Sequence, residues 1–275
     1  MKETAASFGR NGHLIGIESE PEAPRDGRPH VLILNSGLLH KVGPFRLSVD
    51  LARRLAASGY RVLRFDLSGL GDSKLRVAAG EDEDRPVADA REAMDFLSQR
   101  YSHLSGSRRF VLMGLCSGSD NSHRTAVADE RVVGGVHLDG YGFRTPAYHA
   151  HHYARRLLSP TFYRRRFSSP GEDHTPAPGG PINANARKFP PIEQVTREFE
   201  ALMRRDVRLL YVYTRGVDRY VNYKSQLRDS FPSVDFGDRL ELDLYPLAEH
   251  TYPLVRGRAR VVSRVVDWMN REFGR

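Results

Sequence analysis

The chain has 275 residues, a length that suits one large domain with a sizeable core. Lys and Arg total 42 against 34 Asp and Glu, a formal charge of +8, and only Lys2, Lys41, Lys74, Lys188 and Lys224 are lysines, so the basic side is almost all arginine. One cysteine, Cys116, excludes an internal disulfide and a zinc module built on several thiolates. The residues from Met1 to Ser7 lead into glycine and polar positions without an apolar core region, and no apolar run approaches the ~20 residues of a membrane span. The expectation is therefore a cytoplasmic protein with no membrane partner.

Short apolar runs alternate with amphipathic segments along the chain. Residues 31–34 (Val-Leu-Ile-Leu) predict a buried strand, and 47–57 a helix, with Leu47, Leu51 and Leu55 on one face and Arg53 and Arg54 outside it. Gly59 punctuates, and 61–65 predict a second strand. Residues 87–104 predict a helix with Ala90, Met94 and Leu97 inward, 110–113 a strand, 119–129 a short helix and 132–138 a strand. From 141 to about 206 the rhythm is lost. That interval holds Tyr148-His149-Ala150-His151-His152-Tyr153, the arginines Arg155, Arg156, Arg164, Arg165 and Arg166, and a proline-rich stretch over 168–191. Strands then return at 209–213 and 240–245, with a helix over 220–230 between them. A last helix starts at Pro253, with Val261, Val265 and Trp268 on one face. Strands alternating with helices predict an α/β fold: a mostly parallel sheet flanked by helices. The chain reads as a single domain over 1–275 with a cap inserted at about 141–206, above the C-terminal strand ends where open sheets place their sites.

The chemistry concentrates around the lone cysteine. Phe110-Val111-Leu112-Met113-Gly114-Leu115-Cys116-Ser117-Gly118 is an apolar strand running into Gly-x-Cys-x-Gly, and a helix follows. This is the form of a nucleophile elbow, and no serine of the chain has glycine at both −2 and +2. A nucleophile on so sharp a turn leaves no room for a Cβ at either flanking glycine. By itself the pentapeptide is equally consistent with a buried cysteine ending a core strand. Downstream, the strand at 209–213 leads to Asp218, and the strand at 240–245 leads to His250 ahead of the last helix. Cys116, Asp218 and His250 thus stand past strand ends in the order nucleophile, acid, histidine. His250 would take the thiol proton, and Asp218 would hold the imidazole tautomer. Asp139, ending residues 136–139, is a rival acid. Two backbone donors are needed for an oxyanion: Ser117 follows the nucleophile, and Leu38 lies in the loop from Asn35 to Pro44, where His40 is a candidate substrate-binding residue.

These motifs resemble the α/β-hydrolase superfamily over almost the whole chain. They are the loop at 35–44, the turn Asp66-Leu67-Ser68-Gly69-Leu70-Gly71-Asp72-Ser73, which is similar to the family's Asp-x-x-Gly-x-Gly-x-Ser, the elbow at Cys116, Asp218, and His250 before a helix with Trp268. Cysteine stands where the family commonly has serine, a respect in which the chain resembles dienelactone-hydrolase-like members and acyl-shuttling enzymes. The resemblance implies cleavage of an ester or thioester through an acyl-cysteine intermediate. Its alternative is acyl transfer from a thioester to an amine, alcohol or thiol, because a thiolate exchanges one thioester for another near balance. A third reading is a hydrolase-fold protein that binds a ligand without turnover. The expected partner is a small acyl substrate, with an acidic acyl carrier protein or a coenzyme A thioester as a further possibility drawn from the cap arginines. No cofactor is expected. Spacing at His149, His151 and His152 does not suit a metal, no phosphate-binding glycine motif is present, and the arginines do not interleave with aromatics as in a nucleic-acid module.

Overall fold

The computed structural model describes residues 1–76, 84–157, 187 and 189–274, the side chains of 155–157 excepted. Among them, eight strands form one sheet in the order β1-β2-β4-β3-β5-β6-β7-β8. The strands are β1 (Lys2–Phe8), β2 (Leu14–Glu20), β3 (His30–Leu34), β4 (Val62–Phe65), β5 (Phe110–Leu115), β6 (Val132–Leu138), β7 (Arg208–Thr214) and β8 (Leu240–Tyr245). From β4 to β8 every pairing is parallel, while β2 runs antiparallel to both β1 and β4. The helices are α1 (Leu47–Ala57), α2 (Arg85–Arg100), α3 (Ser117–Ala128), α4 (Pro146–Leu157), α5 (Ile192–Arg204), α6 (Gln226–Ser230) and α7 (Val255–Phe273).

The central strands read as continuous apolar runs because both their faces are covered. The period of two assigns each residue to a face. Leu32, Leu34, Phe110, Leu112, Leu209 and Tyr211 enter one core cluster with Met94 and Leu97 of α2 and Phe199 and Leu202 of α5. Val31, Ile33, Val111, Met113, Leu210 and Val212 enter the other, with Leu51 and Leu55 of α1 and Val265 and Trp268 of α7. The helix spacings read from the sequence and the strand alternation meet in these two layers.

Two parts of the chain depart from the sequence reading. No strand was expected before residue 30, yet β1 and β2 pair from Lys2↔Glu20 to Phe8↔Leu14. β1 is the edge strand and is largely exposed, so it lacks the apolar run that marks the inner strands. The expected insertion over 141–206 is also too long. Residues 192–204 form α5, which buries Val195, Phe199, Leu202 and Met203 and connects β6 to β7 as part of the sandwich. Its apolar spacing is helical, but the proline-rich stretch before it masks the resumption of the pattern. Arg164, Arg165, Arg166 and most of the proline-rich stretch lie outside the described residues, as do the side chains of Arg155 and Arg156. No helix of the described residues is long and apolar enough to cross a membrane.

Parallel strands bring the ends of β3 to β8 to one edge of the sheet. The segments that follow them there are the loop after β3, the turn after β4, the junction of β5 with α3, Asp139 after β6, the turn after β7 and the loop after β8. Every candidate residue comes from one of these segments.

Candidate active site

Cys116 is the first residue after β5 and the N-cap of α3, with φ 57° and ψ −120°, backbone angles that a side-chain-bearing residue seldom takes. The flanking glycines make this turn possible by close approach. A Cβ on Gly114 would lie 2.1 Å from the carbonyl carbon of Gly118, and one on Gly118 would lie 2.5 Å from the Asn35 oxygen. The strand, the elbow and the loop after β3 are therefore in backbone contact. The Cys116 amide also donates to the Leu138 carbonyl at 2.9 Å, tying the elbow to the end of β6.

His250 Nδ1 lies 2.6 Å from Asp139 Oδ2. Asp139 is fully buried, and its carboxylate accepts from the Thr214 amide at 2.6 Å and from Thr214 Oγ1 at 2.7 Å. Those bonds aim the remaining lone pairs at the imidazole. The same imidazole acts on the Cys116 thiol, and each group shifts the other's pKa. Bonding to Asp139 and to Cys116 lifts the His250 pKa from 6.5 to about 9, against the effect of burial. Burial by itself raises the thiol, but the hydrogen bond from His250, the Arg187 charge and the His250 charge outweigh it, and the net shift is downward. The opposite displacements favour a thiolate–imidazolium pair over the neutral pair, and the two groups titrate together.

The carboxylate beside His250 is thus Asp139, the rival acid, and Asp218 makes no hydrogen bond or ion pair with His250. Asp218 is exposed in the turn after β7, where its carbonyl accepts from the Tyr148 hydroxyl. That turn instead puts Gly216 under the histidine. A Cβ there would lie 2.4 Å from the His250 Cβ. An exposed carboxylate is screened by water, whereas a buried one acts on the imidazolium through a medium of low polarity.

The two amides expected to receive an oxyanion differ in setting. The Ser117 amide, next to the sulfur in the chain, adds a small share to the lowering of the Cys116 thiol. The Ser117 hydroxyl accepts from the Gly37 amide at 2.7 Å, which draws the loop after β3 against the elbow. Gly37 thereby spends its own N–H, while the next amide, Leu38, has no backbone partner among the described residues. The Leu38 side chain is 87% exposed.

His40 has a different setting from the one expected. Its Nε2 is 3.1 Å from Asp72 Oδ2 and 2.9 Å from Lys41 Nζ, so the partly exposed ring is tied to a charged anchor under the loop. At the centre of the anchor is Asp66, fully buried. It receives the Lys41 ammonium at 2.8 Å, the Lys41 amide at 2.6 Å, the Asn35 side chain at 3.0 Å and the Asp72 amide at 3.0 Å. Burial opposes ionisation of Asp66, but these bonds win and hold its pKa down. Asp66 and Asp72 both belong to the turn singled out in the sequence, where a Cβ on Gly71 would run into the Asp66 carboxylate. His40, Asp66 and Asp72 form the one grouping of metal-ligand type among the described residues, and the Lys41 ammonium already lies within bonding distance of all three. Replacing Lys41 with methionine is expected to destabilise the fold by about 3–5 kcal/mol, because it leaves Asp66 ionised and buried. The exposed partner Asp72 changed to asparagine should shift denaturant midpoints little. Urea unfolding of the two variants checks this. His149, His151 and His152 stack or abut tyrosines, with His151 over Tyr223 at 5.0 Å and His152 over Tyr148 at 6.1 Å.

Sequence reasoning missed Arg187. Its Nε donates to Asp120 Oδ2 at 2.5 Å, its Nη2 pairs with the other oxygen of Asp120, and its Nη1 donates to the Asp139 carbonyl at 2.6 Å. Thr214, which holds the acid, was also missed. Nothing in the local sequence marks either one.

Comparison with solved structures places the fold. An esterase from Pyrococcus furiosus superposes with a TM-score of 0.60 at 13% identity, covering 99% of this chain and 93% of that one. An α/β serine hydrolase from Xanthomonas campestris, described as having no lid, gives 0.57 at 16% identity over 98% and 94% of the two chains. The esterase domain of a Rhodothermus marinus protein gives 0.55 at 19% over 98% and 99%. The chain has the α/β-hydrolase fold. Within it, the elbow at the end of β5 and the histidine after β8 are where the sequence motifs put them. No protein-family model matches the sequence, and no curated protein matches it significantly. The hydrolase fold therefore rests on the sheet order and on structural likeness.

Proposed function

We propose that the protein is a cysteine-dependent acyl-processing enzyme that cleaves an ester or thioester through Cys116, His250 and Asp139. The observation that carries this reading is the His250 imidazole, bonded at 2.6 Å to a buried carboxylate and coupled electrostatically to a thiol held on a strained elbow. The esterases that share the fold are consistent with it.

In this reading Cys116 Sγ attacks the acyl carbonyl carbon, and the carbonyl electrons move onto oxygen. The Ser117 and Leu38 amides receive that oxyanion. Collapse breaks the bond to the leaving group, which takes a proton from the His250 imidazolium and leaves an acyl-cysteine. In that intermediate the thiolate is gone, so the histidine loses one of the partners that hold its proton and becomes a base. It takes the proton of an incoming nucleophile, which attacks the acyl carbon and releases Cys116. With water the reaction is hydrolysis. With an amine, alcohol or thiol it is transfer, and cysteine at the elbow favours this second reading because the acyl-cysteine is itself a thioester. A carrier protein or coenzyme A thioester as donor remains an expectation from the cap arginines.

The experiment is intact-mass analysis of the protein incubated with a panel of esters and acyl thioesters. An acyl increment on wild type and none on Cys116→Ala is the expected result. Slow loss of the increment in water with fast loss to an amine or thiol assigns transfer. No increment with any member of the panel, together with unchanged ligand retention in Cys116→Ser and His250→Ala, overturns the reading in favour of a binding protein.

The pKa displacements set the pH dependence. A lowered thiol supplies thiolate at lower pH than an ordinary cysteine, and a raised imidazole keeps its proton until about pH 9. Free-enzyme kcat/KM is expected to rise as the pair forms and to fall through about pH 9 as His250 loses the proton it must donate. In His250→Ala the rate of Cys116 alkylation by iodoacetamide should follow the pH of an ordinary thiol. Having a single cysteine, the chain makes that measurement specific without further labelling controls.

A further inference from the structure

We propose that Arg187 is a positioning residue of this site, clamping Asp120 in the first turn of the nucleophile's helix to the backbone of Asp139. The inference rests on the reading of Cys116, His250 and Asp139 as the reacting set. Three observations support it. First, Asp120 stands four residues after Cys116, where α3 turns away from the elbow, and both Asp120 and Arg187 are largely enclosed, with side-chain exposures of 14% and 13%. An unpaired carboxylate at that place would oppose a thiolate. Arg187 meets it with two parallel bonds, the geometry that a planar guanidinium offers and an ammonium does not. Second, the remaining arm of the guanidinium donates to the Asp139 carbonyl at 2.6 Å and reaches the Tyr220 hydroxyl at 3.3 Å. Asp139 is one of the few non-glycine residues with positive φ, at 51°, so its peptide must be held from outside. The Val212 carbonyl accepts its amide at 2.8 Å, and Arg187 satisfies its carbonyl. Third, the guanidinium packs 4.8 Å from the Phe189 ring centroid, a further contact that holds it in place.

The consequence is one cation with two tasks. It cancels the negative charge nearest the nucleophile along the helix, and it sets the peptide from which the acid reaches His250. The Arg187 charge also contributes directly to lowering the Cys116 thiol.

The test is the pH–rate profile of Cys116 alkylation by iodoacetamide in four proteins: wild type, Arg187→Lys, Arg187→Gln and the double variant Arg187→Gln with Asp120→Asn. Arg187→Gln is expected to slow alkylation at pH 6.5 by about tenfold and to move the inflection upward, because the charge that lowers the thiol is gone and Asp120 in the first turn of α3 is left unpaired. Arg187→Lys keeps the charge without the fork and should fall between. The double variant should recover part of the low-pH rate, since the opposing charge is gone. Near-ultraviolet circular dichroism on the same samples reports whether packing survives, and Arg187→Lys supplies the comparison if Arg187→Gln does not fold. Coincident profiles for wild type and Arg187→Gln overturn the proposal, as does a double variant no faster at low pH than Arg187→Gln. Failure of the underlying reading looks different: wild type and His250→Ala would then share the profile of an ordinary thiol.

Discussion

Replacing Cys116 with alanine is expected to lower turnover of any acyl substrate on the order of 10⁴-fold or more and to abolish the acyl increment in intact mass. The size follows from what the residue supplies. Without the sulfur there is no covalent intermediate, and the donors at Ser117 and Leu38 can stabilise only the slow attack of water. The serine variant is the sharper comparison. Its hydroxyl occupies the same elbow, but an alkoxide is far harder to form than a thiolate, so attack depends on general-base help from His250 in place of a preformed ion pair. Cys116→Ser is therefore expected to acylate much more slowly than wild type with every member of the ester panel. Equal rates for the two would show that the enzyme works as a neutral hydroxyl-type triad and that the ion pair has no part in catalysis.

The second large effect separates the two acids. Asp139→Asn is expected to reduce kcat on the order of 10³-fold, with little change in KM. The amide keeps the shape but removes the charge that stabilises the imidazolium, and it can present an N–H to Nδ1, turning the ring's tautomer away from its task. Asp218→Asn should leave kcat within about twofold, since the residue is exposed and unbonded to the histidine. Steady-state kinetics on both variants with one responsive ester checks the pair. A large loss in Asp218→Asn with normal activity in Asp139→Asn would reverse the assignment.

The geometry of the sheet explains why the acid was hard to choose from sequence. Asp139 and Asp218 follow adjacent parallel strands, β6 and β7, so both lie at the same edge and both precede His250 in the chain. What separates them is a contact across strands. Thr214, the last residue of β7, bonds the Asp139 carboxylate with both its amide and its hydroxyl. The same turn exposes Asp218 and brings Gly216 against His250. A one-dimensional pattern contains strand ends and their order. It contains neither which of two neighbouring carboxylates is buried nor which one a threonine on the next strand will hold.

His40 illustrates the same limit. Its loop was legible as glycine-rich and close to the site, and the bond from the Gly37 amide to the Ser117 hydroxyl agrees. The ring's partners Asp72 and Lys41 come together only because the turn after β4 folds beneath the loop after β3. Arg187 lies further still from legibility. It is 67 residues from Asp120 and 48 from Asp139, and an arginine among many gives no local sign of such a role.

By itself, the sequence determined the alternation of strands and helices, the elbow at Cys116 and the place of His250, because each depends on local rules. These are a two-residue or 3.6-residue period, glycines where backbones touch, and a histidine just past a strand. It also determined that one thiol serves the whole chain. Only the tertiary structure decided which carboxylate bonds the histidine, what engages His40, that residues 192–204 belong to the sandwich, and that an arginine reaches the first turn of α3. Each of those is a matter of burial and of contact between segments far apart in the chain, where electrostatics is strong because water is excluded.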